Sequence, residues 1–266
     1  MNFLEPITLG GLSALIFPFC RISGFLASFF AISGSTVPMM VRALLAVAFT
    51  VCVLPSVPAP PEGLYPFSVA GLITVFEEVL KGLAIGYMTQ LIAQIFAMAG
   101  QAIAMQTGLG FASLVDPVSG TNAPVVGQFF TILSILVFFA LNGHIAFFSL
   151  MLMSFETLPI GSGFLPQNGL YDMALFGSFM FEGAVAMALS AICTMLIVNF
   201  TLGVMTRAAP QLNIFSLGFA VSMIVGLVVL VLSMNAFMGN FTADFNEVVS
   251  RTCTLVGTSC DGLIGP

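Results

Sequence analysis

The chain has 266 residues, of which 59% are apolar and only 6% are charged. Soluble proteins carry about 25% charged residues, so this composition excludes a soluble globular enzyme and predicts an all-α membrane protein with enough apolar residues for about six or seven membrane-length helices. The net charge of −6 excludes a nucleic-acid-binding protein, and His144 as the single histidine excludes a zinc site of the two-histidine kind.

The first two apolar runs predict a helical hairpin. Residues 1–6 contain an acid and no base ahead of the first run. This is the wrong flank for a cleaved secretory signal, so we expect the chain to be retained from its start. The runs extend over about 9–32 and 39–54, are marginal in length for a membrane crossing and are joined by a short turn, which is typical of antiparallel helices.

The third run, from Tyr65 to about Gln106, is too long for one bilayer crossing. It predicts either two helices or one long helix that leaves the bilayer. Three glutamines, Gln90, Gln94 and Gln101, recur at spacings that place them near one helix face. Both a pore-lining surface and a buried contact between helices would explain this stripe.

A glycine- and proline-rich segment follows, and regular helix cannot continue through it. Non-helical backbone at membrane depth is tolerated only where it is buried in protein or lines a cavity. The segment is also apolar, which is unusual for a solvated connection. It therefore predicts a hydrophobic plug, with the candidate residues Gly108, Gly110, Phe111, Leu114, Val115, Asp116 and Pro117.

The second half of the chain predicts two further helix pairs. The run over 125–155 is interrupted at Asn142-Gly143-His144, which predicts a tight turn between two half-length helices. The last runs, about 170–206 and 214–249, predict a longer hairpin, and we expect residues 251–266 to form a polar tail. The few scattered bases do not assign the two sides of the membrane.

Ionisable residues in apolar runs are costly, so we expect Arg21, Glu77, Glu78, Lys81 and Glu182 to face protein or water. Glu77 and Lys81 are four residues apart and predict an ion pair on one helix face. A structural pair at a subunit contact is favoured over a proton or ion relay, which needs several groups in series. Next to this pair, Gly82 and Gly86 indicate a close approach of two helix backbones.

The five cysteines are an odd number, and Cys20, Cys52 and Cys193 lie inside apolar runs, so we expect packing rather than a disulfide framework. Cys253 and Cys260 could pair only if the tail meets an oxidising compartment. No catalytic motif is visible, so we predict that the protein is not an enzyme and needs no metal or cofactor. From the residues alone, a secondary transporter or ion channel for small solutes, using Glu77, Glu78 and Lys81, stays an alternative.

Several strings, spread over about residues 10–250, carry a resemblance to a known family. They are Arg21-Ile-Ser-Gly24, Pro38-x-x-x-Arg42, Gly100…Gln106-x-Gly108, Asp116-Pro117, Gly127-Gln128, Asn142-Gly143-His144, Ser154-Phe155…Leu158-Pro159-Ile160-Gly161, and Arg207-Ala-Ala-Pro-Gln-Leu-Asn-Ile-Phe215 with Gly218. With these strings the chain resembles the FliR/SctT family of type III secretion proteins, and its flagellar branch in particular. The Arg-Ala-Ala-Pro-Gln-Leu-Asn string is highly specific for this family.

The resemblance implies a subunit of the flagellar type III secretion export gate, which forms and plugs a channel for unfolded flagellar substrates. It implies FliP-like and FliQ-like partner subunits, other membrane proteins of the export apparatus, and a location in the bacterial inner membrane at the flagellar basal body. It also implies a FliP-like part over residues 1–169, with the plug at about 106–122, and a FliQ-like hairpin over 170–250. Much of such a gate is raised above the bilayer, so apolar runs need not all be crossings.

The resemblance and the charge pattern together give a second group of site residues, which we expect to be polar groups within the membrane or at subunit contacts. They are Arg21, Glu77, Glu78, Lys81, Gln106, Arg207, Gln211 and Asn213.

Overall fold

The computed structural model describes residues 9–34, 37–111, 125–164, 167–208 and 214–260. Within these ranges the chain forms helices and turns without any strand, which confirms the predicted all-α class. The helices are α1 (Leu9–Ser28), α2 (Phe30–Ser33), α3 (Met39–Val53), α4 (Val69–Gln106), α5 (Val125–Ala140), α6 (Gly143–Thr157), α7 (Gln167–Ala208) and α8 (Ile214–Val256). Short 3₁₀ turns cover Leu54–Ser56 and Leu109–Phe111.

Local sequence explains where these helices begin and end. The Ser68 hydroxyl accepts a hydrogen bond from the Gly71 N–H at 3.0 Å, which caps the first turn of α4. Gly108 follows α4 with a positive φ of 77°, a conformation that glycine adopts without steric strain. Between α5 and α6, Asn142 takes a left-handed φ of 56°, and the two helices bend by 68°. The predicted turn at 142–144 is therefore confirmed.

The long third run forms a single helix. α4 has 38 residues, which corresponds to a length of about 57 Å at 1.5 Å per residue. This is the second of the two predicted alternatives, and α7 and α8 are longer still, with 42 and 43 residues. Each of these helices exceeds the hydrocarbon core of a bilayer, which is about 30 Å thick.

The boundary expected near residue 250 is wrong, because α8 continues to Val256. Arg251 pairs with Glu247 one turn earlier at 2.8 Å, and the Thr252 hydroxyl donates to the Val248 carbonyl at 2.7 Å. The polar side chains thus find partners within the helix itself, so the polar composition of this segment does not terminate α8.

Four described helices are long and apolar enough to cross a membrane, over Gly11–Ser28, Met39–Ser56, Tyr171–Met205 and Gly218–Val256. The bent pair α5 and α6 would make a fifth if it counts as one broken span. These segments confirm a membrane protein.

The chain divides into two compact units, one with residues 1–91, 139–176 and 246–266 and the other with 92–138 and 177–245. In the first unit, Phe148 packs against Phe25 and Phe49, with ring centroids 5.4 and 4.7 Å away. In the second unit, Phe96 packs against Phe237 at 4.8 Å and Phe241 at 5.1 Å. Each unit therefore has an aromatic core of its own.

Candidate functional site

A fully buried cluster of charges lies in the first unit. The Arg21 Nε of α1 donates to the Glu78 Oε2 of α4 at 2.6 Å, and the Lys81 Nζ lies 2.9 Å from the other oxygen, Oε1. All three side chains are at most 1% exposed. The cluster therefore joins one acidic and two basic side chains in a site that is closed to solvent.

The C-terminal end of α6 supplies the remaining partners. Arg21 donates through Nη1 to the Ser154 carbonyl and through Nη2 to the Leu158 carbonyl, both at 2.7 Å, and its guanidinium lies 4.2 Å from the centroid of the Phe155 ring. The carbonyls at a helix C-terminus carry partial negative charge. They offset the excess positive charge that a single glutamate cannot neutralise.

Lys81 completes the link to the segment after α6. Its ammonium group lies 3.4 Å from both the Pro159 carbonyl and the Ser162 hydroxyl. The cluster therefore joins α1, α4 and the end of α6 through charge-assisted hydrogen bonds, which are stronger than neutral ones.

The predicted pair of Glu77 with Lys81 is wrong, because Lys81 takes Glu78 as its partner at a spacing of three residues. Glu77 is half-buried and lines an open depression with Glu62 and Thr74. A relay would need a carboxylate that exchanges protons with water, whereas both Glu78 oxygens contact cations in a fully buried site. This geometry favours the structural role over the relay.

The glycines of α4 bring α1 and α4 close together beside the cluster. A Cβ at Gly82 would overlap the Arg21 carbonyl oxygen, and a Cβ at Gly86 would overlap the Ser28 hydroxyl. Across the contact, a Cβ at Gly24 of α1 would overlap the Val79 carbonyl oxygen. The predicted close backbone approach at Gly82 and Gly86 is confirmed, and this approach lets Arg21 reach Glu78.

The predicted plug begins at the end of α4, and only its first part lies within the described residues. At Gly108, an added Cβ would lie 3.3 Å from the Phe219 ring in the second unit. Gly110 lies in the 3₁₀ turn that ends at Phe111, and an added Cβ there would meet its neighbours at ordinary distances of 3.5 Å or more. The remaining candidates, Leu114, Val115, Asp116 and Pro117, lie outside the described residues.

The predicted glutamine stripe divides into two environments. The Gln90 amide donates to the Ser33 hydroxyl and is a contact between helices. Gln94 and Gln101 are exposed on α4, as is Met105, whose exposure is 74%. Gln90 therefore fits the predicted contact between helices, whereas the exposure of Gln94 and Gln101 fits the pore-lining alternative.

The other predicted polar sites are separated from the charge cluster in sequence and environment. Gln106 is half-buried at the last position of α4, and Arg207 is exposed in the last turn of α7. Gln211 and Asn213 lie outside the described residues. Ser154, Phe155 and Ser162 were not predicted as partners of Arg21 and Lys81. The string Ser154-Phe155…Leu158-Pro159 marked their position but not their connection to Arg21.

Comparisons with known proteins match nearly the whole chain. A family model described as bacterial export proteins, family 1, matches residues 12–248. The flagellar biosynthetic protein FliR of Escherichia coli (strain K12) is 34% identical over 219 residues, which cover 82% of this chain and 83% of the relative. The protein of the same name from Pectobacterium carotovorum subsp. carotovorum is 34% identical, with the same coverage of both chains. That of Aquifex aeolicus (strain VF5) is 32% identical over 89% of this chain and 92% of the relative.

Proposed function

On the premise that this chain belongs to the FliR family of bacterial export proteins, we propose that it is a membrane subunit of the flagellar type III secretion export gate. The match over residues 12–248 is the observation that carries the proposal. Because the match extends over both compact units, we assign one task to the whole matched chain. That task is the passage of unfolded flagellar proteins across the inner membrane at the basal body.

The membrane-spanning helices support this location. Their exposed faces are apolar along α7 and α8, where Phe200, Ile197 and Ile224 are each 66% or more exposed. Apolar surface of this extent must be covered by lipid or by other subunits. We assign FliP-like and FliQ-like gate subunits as partners, with residues 1–169 as the FliP-like part and 170–250 as the FliQ-like hairpin.

The channel is closed, in this proposal, by the loop at about 106–122. α4 ends at Gln106 and Gly108 follows it with a left-handed backbone, so the loop leaves a long helix at a defined hinge. The apolar residues of the loop, Phe111, Leu114 and Val115, would exclude water and ions by dewetting, while a substrate chain pushing from the cytoplasm would displace them. The chain is a passive conduit, and other subunits and the proton gradient supply the energy.

Conductance of the complete gate, reconstituted in planar bilayers, tests the plug. Replacing residues 110–116 by a glycine–serine segment of equal length removes the apolar side chains and keeps the connection. We expect ion leak in the closed gate to rise at least tenfold over the wild type. Unchanged conductance would remove this loop as the plug.

Two glycine substitutions separate the hinge from the plug. Gly108→Val places a β-branched residue at a positive φ beside the Phe219 ring, so we expect reduced export with no rise in leak. Gly110→Ala is the matched control, because the added Cβ finds ordinary contact distances. The hinge would be contradicted if the two variants behaved alike.

The native mass of the purified complex tests the partners. We expect one copy of this chain together with several copies of the FliP-like and FliQ-like subunits.

A further inference from the structure

The C-terminal end of α8 forms a motif that the export role does not use. Gly257 has a positive φ of 77° and donates to the Thr254 carbonyl at 3.2 Å, while the Thr258 N–H donates to the Cys253 carbonyl at 2.9 Å. These two bonds are the Schellman arrangement, which ends a helix and reverses the chain. The segment after Gly257 therefore folds back over the last turn of α8.

This reversal brings two cysteines together. Cys253 and Cys260 are seven residues apart and are joined by a disulfide, with a Cα–Cα distance of 5.8 Å. In a continuous helix this spacing would separate the two residues by about 10 Å along the axis, beyond the reach of a disulfide. The pairing that the sequence left open for Cys253 and Cys260 is therefore present in the structure.

The other three cysteines behave differently. Cys20, Cys52 and Cys193 are free, and each lies within a segment that can cross a membrane. The bonded pair lies at and just beyond the end of the last such segment, Gly218–Val256. Cys260 differs from the three free cysteines because it lies outside every candidate span and is half-buried, so it is the member of the pair that a soluble oxidant can reach.

Charge does not decide on which side of the membrane this end lies. The α7–α8 pair has one exposed base at each end, Arg207 in the last turn of α7 and Arg251 near the end of α8. The rule that basic loops face the cytoplasm therefore gives no preference. Disulfides persist in oxidising compartments outside the cytoplasm and are rare inside it, so the disulfide supplies the missing signal.

We propose that Cys253 and Cys260 are a substrate site for a protein thiol oxidant outside the cytoplasm, and that the C-terminal end of α8 therefore lies on the extracytoplasmic side. α8 is one helix of 43 residues that includes a membrane-spanning segment. The connection between α7 and α8 consequently lies on the cytoplasmic side. This inference goes beyond the export role and holds whether or not the loop after α4 is the plug.

The oxidation balances as thiol–disulfide exchange with an oxidant of the dithiol–disulfide class. One thiolate of the pair attacks the disulfide of the oxidant, forms a mixed disulfide and releases one oxidant thiolate, which takes up a proton. The second thiolate attacks the mixed disulfide, forms the Cys253–Cys260 bond and releases the second oxidant thiol. Two electrons and two protons pass from the cysteine pair to the oxidant, which leaves as a dithiol.

Thiol counting in the full-length protein tests the first half of the proposal. Cells are quenched with acid, and the denatured protein is alkylated with a polyethylene-glycol maleimide that shifts its gel mobility once per thiol. We expect three shifts without reductant and five after reduction, since Cys20, Cys52 and Cys193 are free. Cys253→Ser should give four shifts in both conditions, and cells without the oxidant should give five without reductant.

Labelling from outside tests the second half. Spheroplasts are treated with a membrane-impermeant reductant and an impermeant maleimide, using a chain in which Cys20, Cys52 and Cys193 are replaced by Ala. We expect Cys260 to be labelled before permeabilisation, and the added cysteine of an Arg207→Cys, Cys253→Ser, Cys260→Ser variant only after it. Five thiols without reductant in oxidant-proficient cells, or labelling in the reverse order, would overturn the proposal. Neither readout depends on flagellar export, so its failure is distinguishable from a failure of the proposed function.

Discussion

At the scale of single residues, the buried charge cluster of Arg21, Glu78 and Lys81 carries the largest desolvation penalty. Arg21 and Lys81 both lie within hydrogen-bonding distance of the Glu78 carboxylate, and all three side chains are buried. Transferring these charges from water to the protein interior is unfavourable, and hydrogen bonds to the buried groups must offset this desolvation free energy. Arg21 does so with four hydrogen bonds, to Glu78, to both the carbonyl and the hydroxyl of Ser154, and to Leu158.

The first prediction concerns the only anion of this cluster. Glu78→Gln leaves Arg21 and Lys81 buried without a counter-charge, so we expect a loss of about 3–5 kcal/mol in unfolding free energy. Thermal unfolding of the purified protein in detergent measures this loss. Glu77→Gln is the control on the neighbouring position, and its half-buried side chain should change the unfolding free energy by less than about 0.5 kcal/mol.

Combining the change with Lys81→Met removes one of the two orphaned cations. The double variant should therefore recover part of the stability that Glu78→Gln loses, with a coupling of about 0.5–3 kcal/mol. Additive losses in the two single variants and the double variant would mean that Glu78 and Lys81 do not interact.

The sequence predicted that these residues would be sheltered, but it did not identify the right pair. A spacing of four residues favoured Glu77 for Lys81, since such pairs face each other on an isolated helix. The choice is made instead by Arg21 and the end of α6, which lie on the side of Glu78. α4 is apolar on most of its faces, and the pattern of a helix that is apolar all round does not reveal which face meets a given neighbour.

At the scale of elements, glycine decides how closely α1 and α4 approach. Gly82→Ala would bring a Cβ against the Arg21 backbone, which cannot move without separating the helices. We expect this single methyl group to lower the unfolding free energy by about 1–3 kcal/mol. Denaturant unfolding of the purified protein measures the change.

The control uses an exposed helical glycine. An added Cβ at Gly239 in α8 meets nothing within 4 Å, so Gly239→Ala should be neutral or stabilise the helix by up to about 1 kcal/mol. If both substitutions stabilise the protein, the close approach of α1 and α4 is not a source of its stability.

Most elements were predictable because their signals are local. The glycines and Asn142 mark backbone conformations that other residues adopt with strain, so the ends of α4 and α5 follow from the sequence. The end of α8 was not predictable from polarity. The helix continues through Arg251 because its side chain pairs within the helix, and it stops only at Gly257. The start of the plug was predicted from Gly108 and Gly110, while its apolar residues lie outside the described part of the chain.

At the scale of the whole molecule, each of the two compact units has an aromatic core, and only the first unit combines it with buried charges among the described residues. The first unit contains the charge cluster, and the second contains an aromatic core of Phe96, Phe130, Phe237 and Phe241. The composition predicted an apolar protein with several membrane-spanning helices. It does not reveal the division into two compact units, because long helices such as α4 contribute residues to both.

The last prediction tests whether the two units lose their structure independently of each other. Phe237 is fully buried, so Phe237→Ala should cost about 3–5 kcal/mol and should reduce amide protection mainly within residues 92–138 and 177–245. Hydrogen exchange followed by mass spectrometry locates the change. Phe200→Ala, at a side chain that is 74% exposed, is the matched control in the same unit. Protection lost equally from both units would mean that the chain unfolds as one body.

The bond between Arg21 and Glu78 also constrains how the protein is made. Arg21 leaves the ribosome 57 positions ahead of Glu78, which at about 5–20 residues per second is a delay of roughly 3–11 s. During that interval the first helix carries a lone guanidinium, whose insertion into lipid is unfavourable by about 2.5–3.5 kcal/mol. The paired, fully buried state of Arg21 therefore forms only after α4 has been synthesised, so the cluster is assembled later than the helix that supplies its arginine.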